Sequence, residues 1–215
     1  MLIHFPCKLI WRLGGNESST AGNFIREHYF RRYGAELSSL LPDILTLEDG
    51  RGCLIAACGM APASAGMMYL ERYLDRPAEG MLSDIFKGQI FRSSIVEIGN
   101  FAATDGLAVR VFYAAICRLL NHYGYSHIVF TGTRKIRNTF CRMNLHPVVL
   151  ADAEGERLGS EKAQWGSYYL NAPKIMAGEL AGGQLALANN DILNGWIEVL
   201  PDSPWHRIPE VQHAH

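Results

Sequence analysis

The sequence predicts a mixed α/β protein, an α+β three-layer fold with one central mixed sheet flanked by helices, and three observations carry that reading. The chain has 215 residues, enough for one well-packed domain and short for two. Residues 95–133 read as strand, helix and strand, with a turn poor in side chains between the first two. Further strand and helix patterns lie on both sides of this unit, so its strands belong to a larger sheet.

The elements follow in order. Residues 1–15, apolar but broken by His4, Pro6, Lys8 and Arg12, predict a first strand and lack the apolar core and cleavage site of a signal peptide. Ser18, Ser19 and Thr20 can cap a helix over 21–33, where Phe24, His28, Tyr29, Arg32 and Tyr33 recur at helical spacing and Gly34 closes the pattern. "DILTLEDGRGCLIAACGMA" reads as two strands about a turn, and "MMYLERYLD" as a strand end or a helical turn. Pro77 and Gly80 mark a break. "SSIVEIGNFAAT" is a strand, and residues 106–124 are a helix with Val111, Ala115 and Leu119 on one face. "SHIVFTGT" is a strand begun just after Gly124. A helix over "RKIRNTFCRMNL", a strand over "HPVVLADAE" and a last strand or loop over "WGSYYLNAPKIMAG" complete residues 1–180. Residues 181–215, rich in Gly, Asn and Pro, form a C-terminal extension expected to be partly ordered through Trp196 and Trp205.

Composition removes several function classes. A hydrophobic content of 48% and a net charge of -1 give no basic excess for nucleic acid or an anionic membrane. No apolar run reaches the roughly 18 residues of a membrane span. Cys7, Cys53, Cys58, Cys117 and Cys141 are odd in number and never form a C-x-x-C pair, which suits a reducing cytoplasm. Cys117 and Cys141 fall in helical patterns without a nearby histidine, so buried, inert thiols are expected rather than nucleophiles. Of eight histidines only His206, His213 and His215 lie close together, in the extension, and no metal is assigned.

The turn "ATDGLA", residues 103–108, is where a strand gives way to a helix with Gly106 and Ala108 leaving the backbone nearly bare. Unpaired amides at a helix N-terminus favour a phosphate, and small residues let it approach; a tight turn built for packing is the competing reading. Glu97 interrupts an apolar strand. Alternation sets it with Gly99, Phe101 and Ala103 on the face opposite Val96, Ile98 and Asn100. Such a carboxylate can have a raised pKa and act as a general base, or it can be structural and paired with Arg110 or Arg26. Arg134, Lys135, Arg137 and Arg142 can dock a phosphate or an acidic carrier protein, or form a solvated face. Asn138 can bind an amide-rich ligand or cap its own helix.

The blocks "FIREHYFRRYGAEL", "MMYLERYLDRPAE", "VEIGNFAAT", "IVFTGTRKIRNTFCRMNL" and "WGSYYLNAPKIMAGEL" together resemble the thermostable hemolysin family over about residues 20–180. That family is similar to the GNAT acyltransferases and, more narrowly, to the acyl-homoserine-lactone autoinducer synthases. The loop 103–108 resembles the acyltransferase pattern Q/R-x-x-G-x-G/A, with Ala103 in place of the first residue. The synthases carry E-x-S-R on their central strand; here Glu97 matches while Gly99 and Asn100 replace Ser and Arg, so S-adenosylmethionine is not implied as acceptor.

The resemblance implies a GNAT-like domain over 1–180 in which the strand at 95–104 splays from that at 126–133 and pantetheine pairs with the exposed edge. It implies acyl-CoA or acyl-carrier-protein phosphopantetheine as donor, held by Phe101, Ala102, Ala103, Gly106, Leu107, Ala108, Arg110, Arg137 and Asn138. Amides of Phe101 to Ala103 would stabilise the thioester oxyanion. Glu97 is the implied base, and Arg26, Tyr29, Tyr33, Glu71 and Asp75 the implied contacts of a small-molecule amine acceptor. The expected activity is therefore N-acyl transfer in the cytoplasm, with oligomeric state open. Two other classes compete: a membrane-active hemolysin, opposed by the weakly cationic helix at 107–122, and an inactive GNAT-like binding module, suggested by Ala103 and the altered E-x-S-R.

Overall fold

Seven strands, β1 (Lys8–Arg12), β2 (Asp43–Glu48), β3 (Leu54–Pro62), β4 (Ile95–Ala103), β5 (His127–Gly132), β6 (Val148–Asp152) and β7 (Lys174–Glu179), make one sheet in the order β1-β2-β3-β4-β5-β7-β6. The computed structural model describes residues 3–12, 19–183, 201, 202, 204 and 205. Every pairing is antiparallel except that of β4 with β5. These two are joined by the one long crossover helix that parallel neighbours require.

Among the described residues four α-helices flank the sheet: α1 (Thr20–Tyr33), α2 (Ala78–Phe86), α3 (Gly106–His122) and α4 (Arg134–Arg142). The Ser19 hydroxyl accepts the Gly22 amide to start α1, and Gly34 ends it in the left-handed conformation. On one face of the sheet α3 buries Val111, Phe112, Ala115, Ile116 and Leu119 against Met60, Val96, Ile98 and Ile128. Each large aliphatic or aromatic side chain so buried contributes roughly 1.5–3 kcal/mol. The other face is covered by α1 and α2. Leu82 of α2 packs with Ile95, Val129 and Ile175, and Ile25 and Tyr29 of α1 with Ile44 and Ala102. The result is the three-layer mixed sheet that the sequence predicts.

One local expectation is corrected. Pro77 is not a break but the cap of α2, with Gly80 inside that helix. Pro's missing N–H costs nothing at a helix start, and the apolar Ala78 and Leu82 give the helix a face to bury. "YLERY" forms a 3-10 turn over Tyr69–Tyr73, and another 3-10 segment spans Gly155–Trp165. Most of the extension at 181–215, including Trp196 and His206, His213 and His215, lies outside the described residues. Trp205 packs edge-on against Trp11 and Tyr125, and its indole donates to Asp43 at 2.8 Å.

Candidate active site

The parallel pair sets up the site because its pairing stops early. β4 and β5 are in register from Ile95/His127 only to Ile98/Phe130. Beyond that point β4 stays with β3 through Ala102/Ala57 and Ala103/Ala56, while β5 stays with β7 through Thr131/Ile175 and Gly132/Lys174. The two strands part, and the edge of β4 from Gly99 onward faces a gap.

A bulge shapes that edge. The β3/β4 register shifts between Ala57 and Gly59, and Asn100 adopts a left-handed backbone with φ 52°. Alternation therefore breaks: Phe101 and Ala103 pack with Val96 and Ile98 on the α3 side, not with Glu97 as strict alternation predicts. The Asn100 side chain accepts the Leu41 amide at 2.9 Å. A Cβ on Gly99 would meet Leu41 Cδ1 at 2.9 Å, and one on Gly59 would meet Leu41 Cβ at 2.8 Å. Gly99 and Asn100 thus seat the chain that follows α1 over the gap.

Glu97 sits beside the parting. It is 3% exposed, and its Oε2 accepts the Tyr69 amide at 2.8 Å and Oε1 the Leu70 amide at 2.9 Å. Neither Arg110 nor Arg26 is its partner; Arg110 is exposed, and the Arg26 Nε donates to the Leu37 carbonyl at 3.0 Å. Burial pushes the Glu97 carboxyl up to about 7, against the pull of the two amides. A carboxylate half-ionised near neutral pH is matched to taking a proton and giving it up again.

A cavity of about 130 Å³ runs through the gap and joins both faces of the sheet. Tyr29 and Tyr33 of α1, with Tyr69, Trp165 and Tyr168, wall one side; Tyr113 of α3 and Ile136 of α4 wall the other. The Phe101 ring stacks on Tyr113 at 4.5 Å. A second, apolar cavity of about 280 Å³ shares Tyr113 and Phe130 with the first and runs on past Cys117, Phe140 and Leu145. Burial pushes the Cys117 thiol up to about 12, so it lines this cavity as an apolar group. Cys141 is exposed.

The structure brings Glu97, Phe101, Tyr29 and Tyr33 to the cavity but not the other residues singled out from the sequence. Glu71 is taken by Arg92, which binds both its oxygens at 2.7 Å, and by the amides of Met68 and Ala78. Asp75 is exposed and pairs with Arg157. Arg137 donates to the carbonyls of Gly132 at 2.9 Å and Ala172 at 2.7 Å, and so ties α4 to the loop before β7. Gly106, Leu107, Arg110 and Asn138 are exposed near the ends of the parallel strands. Ala102 and Ala103 pair with β3. The Asp105 carboxylate accepts the amides of Leu107 and Ala108, both at 2.9 Å, so a phosphate at those two amides would have to displace a carboxylate. Sequence reasoning missed Tyr69, Trp165, Tyr168, Glu161 and the Leu37–Leu41 segment. The only signal was the aromatic density of "WGSYYLN".

Comparison with known proteins adds to this geometry. A model described as thermostable hemolysin matches residues 14–184. No curated protein is detectably similar in sequence. Among solved structures, the CoA-dependent acyl-homoserine lactone synthase BjaI, bound to SAM and isopentyl-CoA, superposes with a TM-score of 0.55 at 13% identity, over 93% of this chain and 96% of that one. The AHL synthase LasI gives 0.54 at 14% identity, over 84% and 95% of the two chains. FeeM, an N-acyl amino acid synthase from uncultured soil microbes, gives 0.54 at 13% identity, over 85% and 97%. At these identities the likeness is one of fold.

Proposed function

Because the chain belongs to the thermostable hemolysin family and holds a buried carboxylate where two parallel strands part, we propose that it is an N-acyltransferase that moves an acyl group from acyl-CoA or an acyl carrier protein to an amine. The single observation that carries this reading is Glu97, fixed by two backbone amides at the wall of a cavity that threads the sheet. Acyl-CoA or acyl-chain chemistry named for the fold neighbours supports it, at the level of reaction class.

In this reading the pantetheine arm pairs with the open edge of β4 from Gly99 to Ala103, as a peptide would. The phosphate end lies at the C-terminal ends of β4 and β5, near Gly106, Arg110 and Asn138, with Arg134 and Lys135 at the start of α4. The acyl chain enters the apolar cavity behind Tyr113 and Phe130. The amine arrives protonated and Glu97 takes one proton. The neutral amine nitrogen then attacks the thioester carbon and gives up its second proton as the C–S bond breaks; that proton passes to the departing thiolate, leaving an amide and a free thiol, and Glu97 returns its own proton to water. The five cysteines are all unpaired, consistent with work in a reducing cytoplasm. Among the described residues no helix is long and apolar enough to cross a membrane.

The test is thiol release from acyl-CoA in the presence of amines, followed with a thiol-reactive dye. Glu97→Gln should lower the rate by about a hundredfold or more, the scale of losing a positioned base. Unchanged turnover would make Glu97 structural.

A further inference from the structure

The acceptor side of the cavity has a definite chemistry. Tyr29, Tyr33, Tyr69, Trp165 and Tyr168 surround it, several of them in contact: Tyr29 lies 6.1 Å from Trp165, Tyr69 6.2 Å from Trp165, and Tyr33 5.2 Å from Tyr168. Apart from tyrosines, the ionisable side chains on its wall are carboxylates, Glu97 and Glu161. Arg72 is close by, its guanidinium 5.2 Å from the Tyr69 ring, but Glu161 holds it at 2.7 and 2.9 Å through both oxygens, and the carboxylate is the member of that pair that lines the cavity. The lining given by the described residues is otherwise neutral.

Ring faces carry negative charge and attract cations. Together with the ionised form of Glu97, and with Glu161 already paired to Arg72, they favour an ammonium on an aromatic or apolar body and disfavour a substrate carboxylate, which would enter a desolvated space against π faces and like charge. This separates two kinds of amine that the reaction alone does not: amino acids, whose carboxylate needs a cation, and simple amines, which carry none.

Resting on the acyltransferase reading, we propose that the acceptor is an arylalkylamine without a carboxylate, its ring held among Tyr29, Tyr33, Tyr69, Trp165 and Tyr168 and its amine directed to Glu97. The amine enters as the ammonium and loses one proton to Glu97 before attack; the aromatic wall stabilises the charged form on entry and excludes water from the neutral one. Tyr73, whose hydroxyl meets that of Tyr169 at 2.7 Å, closes the wall next to Tyr69.

The experiment compares pairs that differ by one carboxylate: tyramine with tyrosine, and phenethylamine with phenylalanine. Thiol release is measured with acyl-CoAs from acetyl to dodecanoyl, and each amine is also titrated calorimetrically into the full chain without donor. Turnover of tyramine about a hundredfold better than of tyrosine is expected, the scale of leaving a charge without a partner in such a site. Equal or better turnover of tyrosine would overturn the proposal and leave acyl transfer standing. Donor-free binding of tyramine but not tyrosine, with no thiol released from any donor, would keep the cavity's preference and remove the acyltransferase reading. Absence of both binding and turnover for tyramine would overturn the proposal.

Discussion

Glu71 and Glu97 accept successive amides of the same short segment, Met68–Leu70, and their surroundings drive their acidities apart. Glu71 takes the amides of Met68 and Ala78, and Glu97 those of Tyr69 and Leu70. Burial opposes the charge of both. For Glu71 the Arg92 guanidinium and the two amides outweigh it and hold the carboxyl down to about 2; for Glu97 burial prevails and the carboxyl sits at about 7. Two carboxylates so separated serve as a fixed anchor and a proton acceptor.

The pH dependence of Glu97 follows from the sign of its shift. In a folded state at about 7 against an ordinary 4.5, its contribution to stability is full below about pH 4.5 and lost as pH rises through 7, about 3 kcal/mol in all. Activity runs the other way, since kcat/KM needs the ionised base and should rise through pH 7. Urea titrations and rate profiles between pH 5 and 9 should show both slopes in the wild type and neither in Glu97→Gln. A rate profile unchanged by the substitution would detach the base from Glu97.

The anchor has the opposite sign. Glu71 contributes stability above about pH 4.5 that is lost as pH falls toward 2. Arg92→Ala leaves that carboxylate buried without its cation, and breaking such a pair costs about 3 kcal/mol at pH 7. Glu71 and Arg92 also fix the turn whose next two amides, Tyr69 and Leu70, bind Glu97, so turnover should fall with stability. Denaturation midpoints equal to the wild type at pH 7 would show the pair to be dispensable.

Gly166 joins the aromatic wall to α1. A Cβ there would lie 2.2 Å from the Tyr33 carbonyl oxygen, at φ 51°, while Ser167 donates its amide to that same oxygen at 2.8 Å. Gly166→Ala should cost more than about 3 kcal/mol, because backbone meets backbone and neither can turn away. Gly159→Ala, at nearly the same backbone angles (φ 59°, ψ -129°) but with nothing within 4 Å, should cost less, about 1–3 kcal/mol from the strain of those angles alone. Equal losses in chemical denaturation would mean that strain at the residue, not the contact with α1, sets the penalty.

The donor's phosphate seat is tested by two neighbours. Gly106 is exposed with open space around its Cβ position, so Gly106→Val should fold normally and abolish acyl-CoA binding. Asp105→Asn keeps an acceptor for Leu107 and Ala108 but removes a negative charge, and should tighten acyl-CoA binding several-fold. Calorimetric affinities equal to the wild type for both variants would move the seat elsewhere.

Any lysis should come from an acylated product, since amphiphilic conjugates disrupt membranes while a chain of net charge -1 has little electrostatic pull toward an anionic surface. Dye leakage from anionic and zwitterionic liposomes should therefore require wild-type protein together with donor and amine. Equal leakage by wild type and Glu97→Gln without donor would favour direct membrane action.

Local pattern alone determined the strand, bare turn and helix from Ile95 to His122, the Gly34 stop of α1, and Glu97 as a carboxylate out of place in an apolar strand. Those features depend on residues a few positions apart, where period and capping act directly. Tertiary structure decided which way Phe101 and Ala103 face, because the turn of the chain at Asn100 answers to a register shift on β3 and to the Leu41 amide. It also decided that Glu71 is an anchor rather than a ligand contact, since Arg92 reaches it from 21 positions away. The cavity draws its walls from Tyr29, Tyr69, Tyr113 and Trp165, on four separate elements. No spacing in the sequence encodes that meeting, because it is fixed by where β4 and β5 cease to pair and by what packs over the gap.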